Sequence, residues 1–213
     1  MEAKVRSLPL FPLNVVLFPG QTLPLHIFES RYRVMIKHCA ENKEPFGVVL
    51  AYDPDTPVEF GTSARVTELK VLPDGRLDIL TVGVERFKIH HLRHSEHGYL
   101  IGDVTFEPVS GDAGDELVAE VGRRARRYLR LLTELSGAKF RFAQFPSEAR
   151  ELALFTAIAL RLPVDIKQEL LDHHRLDALL RDELALLGDE NRQMSLAAGA
   201  IQPPDDDHGF CLN

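Results

Sequence analysis

The spacing of apolar positions changes near residue 110, and the two sides of this boundary predict different secondary structure. Before it, short runs of β-branched and aromatic residues are separated by proline, glycine and aspartate, a pattern typical of strands joined by turns. One helix interrupts the strands over residues 30–42, where Tyr32, Met35, Ile36 and Cys39 recur at helical spacing. Strands are predicted over residues 15–18, 23–28, 46–52, 66–72, 77–89 and 99–106.

Two irregularities indicate that these strands curve strongly. Asp74 and Gly75 predict a type I′ hairpin turn, because this turn needs two residues that tolerate positive φ. Within residues 77–89 the apolar positions change from one face to the other, and Gly83 is the expected place of a β-bulge. Many short strands with bulges and prolines predict a small, strongly bent sheet or a closed barrel.

Beyond residue 110 the apolar period becomes helical. After a predicted linker at residues 109–116, the apolar face of a long helix is formed by Leu117, Val121, Ala125, Tyr128 and Leu132. Three further helices follow, and the last is predicted to end at Gly188, since glycine is common just after a helix.

The predicted fold is therefore of the α+β class, in three parts. Residues 1–110 form a β-rich, barrel-like subdomain, and residues 111–190 form a helical bundle. Residues 191–213 are acidic, polar and rich in proline near their end, so we expect an unstructured tail.

Composition and charge limit the classes of protein to which this sequence can belong. Hydrophobic residues make up 45% of the 213 positions and charged residues 27%, as in ordinary globular proteins. The formal net charge of −7 argues against a dedicated nucleic-acid binder, which is usually basic. No apolar run approaches the ~20 residues of a membrane-spanning helix. The prolines near the N-terminus also argue against a signal peptide.

The two cysteines, Cys39 and Cys211, fall on a predicted helix face and in the polar tail, so a disulfide framework is not expected. A reducing cytoplasmic location is the simplest expectation.

Motif searches give little support for catalysis or cofactor binding. The sequence has no phosphate-binding P-loop, dinucleotide-binding glycine motif or nucleophile elbow. The histidines His90, His91, His94 and His97 have no accompanying cysteine pair or zinc-binding helix motif. We interpret them as residues of a solvated loop, and we expect no metal and no cofactor.

The basic run at residues 123–130 is the remaining charged motif. Its arginines lie opposite the apolar face of the long helix and follow an acidic first turn, which favours a solvated, ion-paired surface. The alternative is a surface that binds an anionic partner, with strong dependence on salt.

A second alternative is a small hydrolase. His26 and Glu29 lie close in sequence and have the chemistry of a general base and its orienting group. We favour a structural role instead, in which Glu29 and Arg86 form a buried pair between strands.

Three blocks of sequence resemble a known family. They are "LPLFPLNVVLFPGQTLPLHIFESRYRVMI" with "FGVVL", then "GTSARVTELKVLPDGRLDILTVGVERFKI", then "LPVDIKQELLDHHRLDALL", and they occur in the same order up to about Gly188. They resemble the N-terminal LON substrate-binding domain of the ATP-dependent Lon protease. The sequence carries no recognisable ATPase or peptidase part, so it resembles a stand-alone LON-domain protein.

The resemblance implies a small pseudo-barrel followed by a helical bundle, with a PUA-like β-part. It also implies recognition, without cleavage, of an unfolded or tagged polypeptide or a partner protein, as an adaptor or regulator in protein quality control. We expect no nucleic-acid or membrane partner, and a monomer or weak homodimer.

The opening block supplies the candidate binding residues. We expect a peptide-binding groove formed by Phe18, His26, Phe28 and Tyr32, with Arg31 at its rim. The alternative is that most of these side chains are core, especially Phe28 and Tyr32, because aromatic residues are usually buried.

Overall fold

The computed structural model describes residues 4–137 and 145–201 of the chain. The described strands are β1 (Arg6–Leu13), β2 (Thr22–Ile27), β3 (Phe46–Leu50), β4 (Phe60–Val71), β5 (Leu77–His94) and β6 (Leu100–Phe106). The described helices are α1 (Ser30–Asn42), α2 (Asp115–Ser136), α3 (Ala149–Ala159), α4 (Val164–Asp172) and α5 (Leu176–Ile201). Helix α1 connects β2 to β3, and the other four follow the sheet.

The sheet closes into a barrel because β5 is long enough to pair at both of its ends. Its first half pairs with β2 and β4, and its second half pairs with β6. β6 continues the ring to β1, which pairs in parallel with β3, and β3 pairs with β4. The predicted α+β fold, with a bent sheet or closed barrel followed by helices, is therefore confirmed, and the sheet takes the closed form.

A bulge in β5 bends the strand within this closed sheet. Thr62 pairs with Arg86 and Ala64 pairs with Gly83, so Ser63 faces two residues, Val84 and Glu85. The Ser63 hydroxyl donates to the Glu85 carbonyl at 3.1 Å and accepts from the Glu85 N–H at 3.2 Å. The bulge predicted at Gly83 thus begins at the next residue, and a serine side chain satisfies its backbone.

The hairpin between β4 and β5 forms, but the predicted turn type is wrong. Gly75 has a φ of +81°, whereas Lys43 is the one non-glycine residue with positive φ in the described chain, so Asp74 does not have one. The turn closes through the Gly75 N–H and the Leu72 carbonyl at 2.9 Å. Pro73 therefore occupies the second position, where its ring fixes a negative φ that a type I′ turn excludes.

The first predicted strand, residues 15–18, is a loop in the structure, and β1 lies before it. Its side chains are nevertheless buried: Val16 and Phe18 join a core cluster made mainly by α2, α3, α4 and α5. The apolar character of this segment therefore reflects packing between the barrel and the helices.

The last helix differs from the prediction. Helix α5 continues through Gly188 to Ile201, so the predicted helix end at Gly188 is wrong, as is the predicted absence of structure over residues 191–201. Packing against α2 explains the extension: Leu187 is fully buried, and the Asn191 side chain donates to the Arg124 carbonyl at 3.1 Å. Residues 202–213 of the predicted tail lie outside the described residues.

The boundary expected at residue 110 falls between the end of β6 and the start of α2. Cys39 is buried on α1, and this burial raises the pKa of its thiol to about 11, which makes it an inert core residue. Cys211 lies outside the described residues. None of the helices in the described part of the chain is long and apolar enough to cross a membrane.

Candidate functional site

An apolar cavity of about 210 Å³ lies where the barrel meets the helices. The β5 bulge and the loop before β2 form one wall, the segment between β6 and α2 forms the second, and α3, α4 and α5 form the third. The residues that line it are Phe18, Pro19, Val84, Glu85, Arg86, Pro108, Val109, Arg150, Ala153, Leu154, Ala157, Leu170, Leu171, Leu176 and Leu179.

Phe18 is held in this wall by a tight contact between a loop and the barrel. The Gly20 N–H donates to the Gly83 carbonyl, and the Gly83 N–H donates to the Gln21 carbonyl, both at 2.9 Å. A Cβ atom at position 83 would lie 2.3 Å from the Phe18 carbonyl oxygen. Glycine at this position therefore allows the loop to approach β5 and to place Phe18 between the barrel and the helices.

Arg86 joins the barrel to α4 beside the cavity. The residue is 3% exposed, and its guanidinium donates to the Glu107 carbonyl at 2.7 Å, to the Leu171 carbonyl at 2.9 Å and to the His173 carbonyl. The last two acceptors lie at the C-terminal end of α4, where a cation is favoured by the helix dipole. Burial lowers the pKa of Arg86, and the nearby Glu107 and Asp172 oppose that shift.

A second polar contact ties α4 to the barrel. The buried Gln168 amide donates to the Phe60 carbonyl at 3.2 Å and to the Asp172 carboxylate at 2.7 Å. Burial raises the pKa of Asp172, although the Gln168 amide and Arg86 oppose the rise. Arg86 and Gln168 thus connect the barrel to α4 beside the cavity.

The predicted pair of Glu29 with Arg86 is not formed. Glu29 accepts from the Arg31 Nε at 3.0 Å, and Arg86 is bound to main-chain carbonyls instead. The prediction failed because it treated Arg86 as a strand-to-strand contact, whereas the bulge turns this side chain toward α4.

The structure also separates Phe18 from the other predicted groove residues. Tyr32 is 4% exposed and packs on Phe11, with ring centroids 4.3 Å apart, so the core alternative applies to it. Phe28 is 64% exposed, contrary to that alternative. The Arg31 guanidinium lies 4.7 Å from the Tyr32 ring centroid and donates to the Gly98 carbonyl at 3.3 Å.

His26 and Glu29 do not form a catalytic pair. The His26 Nδ1 lies 2.6 Å from the Asp78 carboxylate, and its Nε2 lies 3.2 Å from the Arg76 guanidinium. Glu29 has Arg31 as its partner. Since each residue has a separate partner on an exposed surface, the geometry gives no support to the hydrolase alternative.

The histidine cluster is placed differently from the prediction. His90, His91 and His94 lie on the exposed end of β5, and His97 lies in the turn before β6. Within residues 4–137 and 145–201 no group of three or more histidine, cysteine or acidic side chains is arranged to hold a metal ion.

Sequence reasoning missed most of the helical wall of the cavity. Ala153 and Ala157 are one helical turn apart on α3, and both are 1% exposed. Two small residues on one buried helix face leave space that larger side chains would fill. This spacing is the sequence feature that could have indicated the cavity.

Comparison with known proteins identifies the fold and the family. The family model of the substrate-binding domain of ATP-dependent protease La (LON) matches residues 7–189. The chain belongs to the LON substrate-binding domain family. A solved structure of a Lon N-terminal domain protein from Xanthomonas campestris is 31% identical in sequence, with a TM-score of 0.68. The alignment covers 84% of this chain and 98% of the Xanthomonas chain.

Other relatives agree with this assignment. The N-terminal domain of Lon protease from Mycobacterium avium complex has a TM-score of 0.68 at 18% identity, which shows the fold alone. Lon protease from Anaeromyxobacter dehalogenans is 29% identical over 202 residues, which are 89% of this chain and 24% of that protein. Protein cereblon from Danio rerio is 33% identical over 106 residues, which are 46% of this chain and 24% of that protein.

This LON-domain chain therefore spans about a quarter of the length of these curated relatives. The family match concerns the substrate-binding domain, and it includes no protease or ATPase part. It extends across the barrel and as far as Asp189 in α5, and so includes all three walls of the cavity.

Proposed function

We propose that this LON domain binds unfolded or tagged polypeptides by taking one apolar side chain into the cavity between the barrel and the helices. The observation that carries the proposal is this cavity, since it is lined mainly by apolar side chains and lies within a substrate-binding domain family match. Clefts of this kind, with few polar groups at the edge, are the usual form of a binding site.

The size of the cavity favours a side chain over a small-molecule ligand. Pockets for drug-sized ligands usually enclose about 300–1,000 Å³, whereas this one encloses about 210 Å³. Arg150 and Glu85 lie in its lining and offer polar contacts to the main chain of a bound peptide.

The expected affinity of a single contact is weak. Full burial of one large apolar side chain contributes about 1.5–3 kcal/mol, whereas even a millimolar dissociation constant corresponds to about 4 kcal/mol. We therefore expect detectable binding to require a segment with additional contacts. Such weak recognition suits transient binding of many sequences.

The test compares two labelled peptides with the same length and charge, one with a central Phe and one with Ser in its place. We expect saturable fluorescence anisotropy with the Phe peptide and at least about tenfold weaker binding of the Ser peptide. Ala153→Leu fills the cavity from α3 and should abolish this preference. Ala159→Leu is the matched control, because Ala159 lies on the same helix outside the cavity lining.

Equal binding of both peptides by the wild-type chain would contradict the proposal. So would an unchanged preference for Phe in Ala153→Leu. If this variant does not fold, Val109→Phe fills the same cavity from the half-buried connecting segment, where a larger side chain is easier to accommodate.

We further propose that the domain acts without cleaving its ligand, as an adaptor or regulator for a separate protease. The support is that no catalytic pair forms at His26 and Glu29. Affinity capture of the full chain should retain an ATP-dependent protease together with a polypeptide ligand. Cleavage of the Phe peptide by the purified chain alone would contradict this role.

A further inference from the structure

A basic groove of about 690 Å³ lies between α2 and α5, on a different part of the molecule from the apolar cavity. Four arginines line it: Arg123, Arg124 and Arg127 from α2, and Arg192 from α5. Glu120 is the one carboxylate among its lining residues. The groove is therefore a concentration of positive charge on a chain whose formal net charge is −7.

The arginines of the basic run at residues 123–130 do not all lie on one surface. Arg126 is turned away, and its guanidinium lies 4.1 Å from the Phe145 ring centroid. Arg130 is exposed but lies outside the groove lining. Helix α5 supplies the fourth groove arginine, beyond the position where the sequence predicted the helix to end. The extension of α5 therefore creates the site.

Gly188 shapes the floor of the groove. A Cβ atom at this position would lie 2.8 Å from the Arg124 Nη1, which donates to the Leu184 carbonyl at 3.2 Å. The Arg124 Nε donates to Glu120 at 2.8 Å. Glycine in the middle of a helix costs about 1 kcal/mol relative to alanine, and its role here is to leave room for this guanidinium.

The outer arginines are available to a ligand. Arg127 donates to the Ser195 hydroxyl at 3.2 Å, and this neutral partner leaves its charge uncompensated. The Arg192 side chain is 74% exposed, and its contact with Asp189 is 3.4 Å long. Exposed pairs of this kind contribute little and exchange readily with another carboxylate.

We propose that this groove binds an acidic segment of a polypeptide, with Arg127 and Arg192 contacting its carboxylates. Arginine is suited to this ligand because its planar guanidinium pairs with a carboxylate through two hydrogen bonds. Leu196 lies at the groove edge and is 71% exposed, which provides an apolar contact for a residue beside the acidic ones.

The lining favours a polypeptide over a nucleic acid. Single-stranded nucleic acids are held by aromatic side chains that stack on bases, and the lining of this groove contains no aromatic residue. Glu120 stays ionised, because hydrogen bonds from Arg124 and Arg123 lower its pKa. A continuous phosphate backbone would meet that charge, whereas a peptide can place a neutral residue beside it.

The test uses a labelled peptide in which glutamates alternate with leucines, and a second peptide with glutamine at every glutamate. The full chain should bind the first saturably by fluorescence anisotropy, with affinity that falls steeply as salt rises. Arg127→Gln/Arg192→Gln should weaken binding at least about tenfold. The matched control is Arg130→Gln/Arg181→Gln, which removes the same charge from exposed positions of α2 and α5 outside the lining and should change affinity less than about twofold.

Three results would overturn the proposal: equal weakening by both double variants, equal binding of the glutamine peptide, or tighter binding of a twelve-residue oligothymidine through the same two arginines. The proposal is independent of the apolar cavity. Ala153→Leu should leave acidic-peptide binding unchanged, so failure at one site is distinguishable from failure at the other.

Discussion

Arg86 shows how one buried cation can position two parts of a molecule. All three of its hydrogen-bond acceptors are main-chain carbonyls, one between β6 and α2 and two at the end of α4. Its guanidinium also lies 4.9 Å from the Phe60 ring centroid. The residue therefore satisfies carbonyl groups that would otherwise be buried without partners.

We predict that Arg86→Leu lowers the free energy of unfolding by about 3–5 kcal/mol, because it leaves these carbonyls unsatisfied. Urea denaturation measures the loss. Arg93→Leu is the control on the same strand, where the side chain is 49% exposed and pairs with Asp103, and it should cost less than about 1 kcal/mol. A loss of stability in Arg86→Leu as small as that expected for Arg93→Leu would contradict this structural role of Arg86.

Glu183 is a second buried ionisable residue, and it makes stability depend on pH. It is 0% exposed on α5, and the Ala157 main chain is the polar group that opposes the effect of this burial. Burial raises its pKa well above the ordinary value. The native state therefore keeps a proton that the unfolded state releases near pH ~4.3.

Because the pKa of Glu183 is higher in the native state, its protonation stabilises the native state fully at pH values below the unfolded-state pKa. This stabilisation is lost as the pH rises toward the native-state pKa. We predict that Glu183→Gln is more stable than the wild type at pH 8, and that this advantage shrinks toward pH 4.5. Urea denaturation at both pH values measures the difference. An advantage of the same size at both would contradict the raised pKa.

At the level of single elements, β5 is the strand that both completes the ring and lines the cavity. Its bulge follows Gly83, and the loop that carries Phe18 packs on that glycine. The sequence predicted the bulge from the change of apolar face. It could not predict that the loop would occupy the space above it, because that contact joins residues about sixty positions apart.

We predict that Gly83→Ala lowers the free energy of unfolding by about 1–3 kcal/mol, since the added methyl group clashes with the Phe18 main chain. Gly114→Ala is the control at a position with open space around it. A larger loss for Gly114→Ala would contradict this packing. The Phe peptide should also bind more weakly to Gly83→Ala, because Phe18 is displaced.

On α5, replacing a glycine by alanine should raise stability, in contrast to the replacement on β5. The Cβ atom added by Gly188→Ala would meet only the end of the long Arg124 side chain, which can shift, so we predict a gain of up to about 1 kcal/mol from helix propensity. The same change should weaken acidic-peptide binding, because it displaces Arg124. Thermal unfolding and anisotropy together test both effects. A destabilised variant, or a more stable one with unchanged binding, would contradict this role of Gly188.

For the whole molecule, the sequence predicted the order and type of most elements because local periodicity and turn residues determine them. Val121, Ala125, Tyr128 and Leu132, for example, were predicted to share a helix face and are all buried. The extent of α5 was not predicted, because its packing on α2 outweighs the local effect of Gly188.

The cavity that we propose as the binding site was predicted less well, for a physical reason. His26, Phe28, Arg31 and Tyr32 are close in sequence, but β2 and α1 place them outside the lining of the cavity. Only Phe18 of the predicted set lines it. A cavity formed by three separate parts of the chain leaves no continuous sequence motif. The spacing of Ala153 and Ala157 on α3 was a weak indication of it.

The most direct test of the central claim is crosslinking from inside the cavity. A photoreactive benzoylphenylalanine is placed at Leu154, which lines the cavity, or at Leu92, which is exposed on β5 outside it. Each full chain is then irradiated with the Phe peptide. We predict a crosslink from position 154 to the peptide near its Phe, reduced by excess unlabelled Phe peptide but not by the Ser peptide, and little crosslinking from position 92. Equal crosslinking from the two positions, or none from position 154, would contradict polypeptide binding in this cavity.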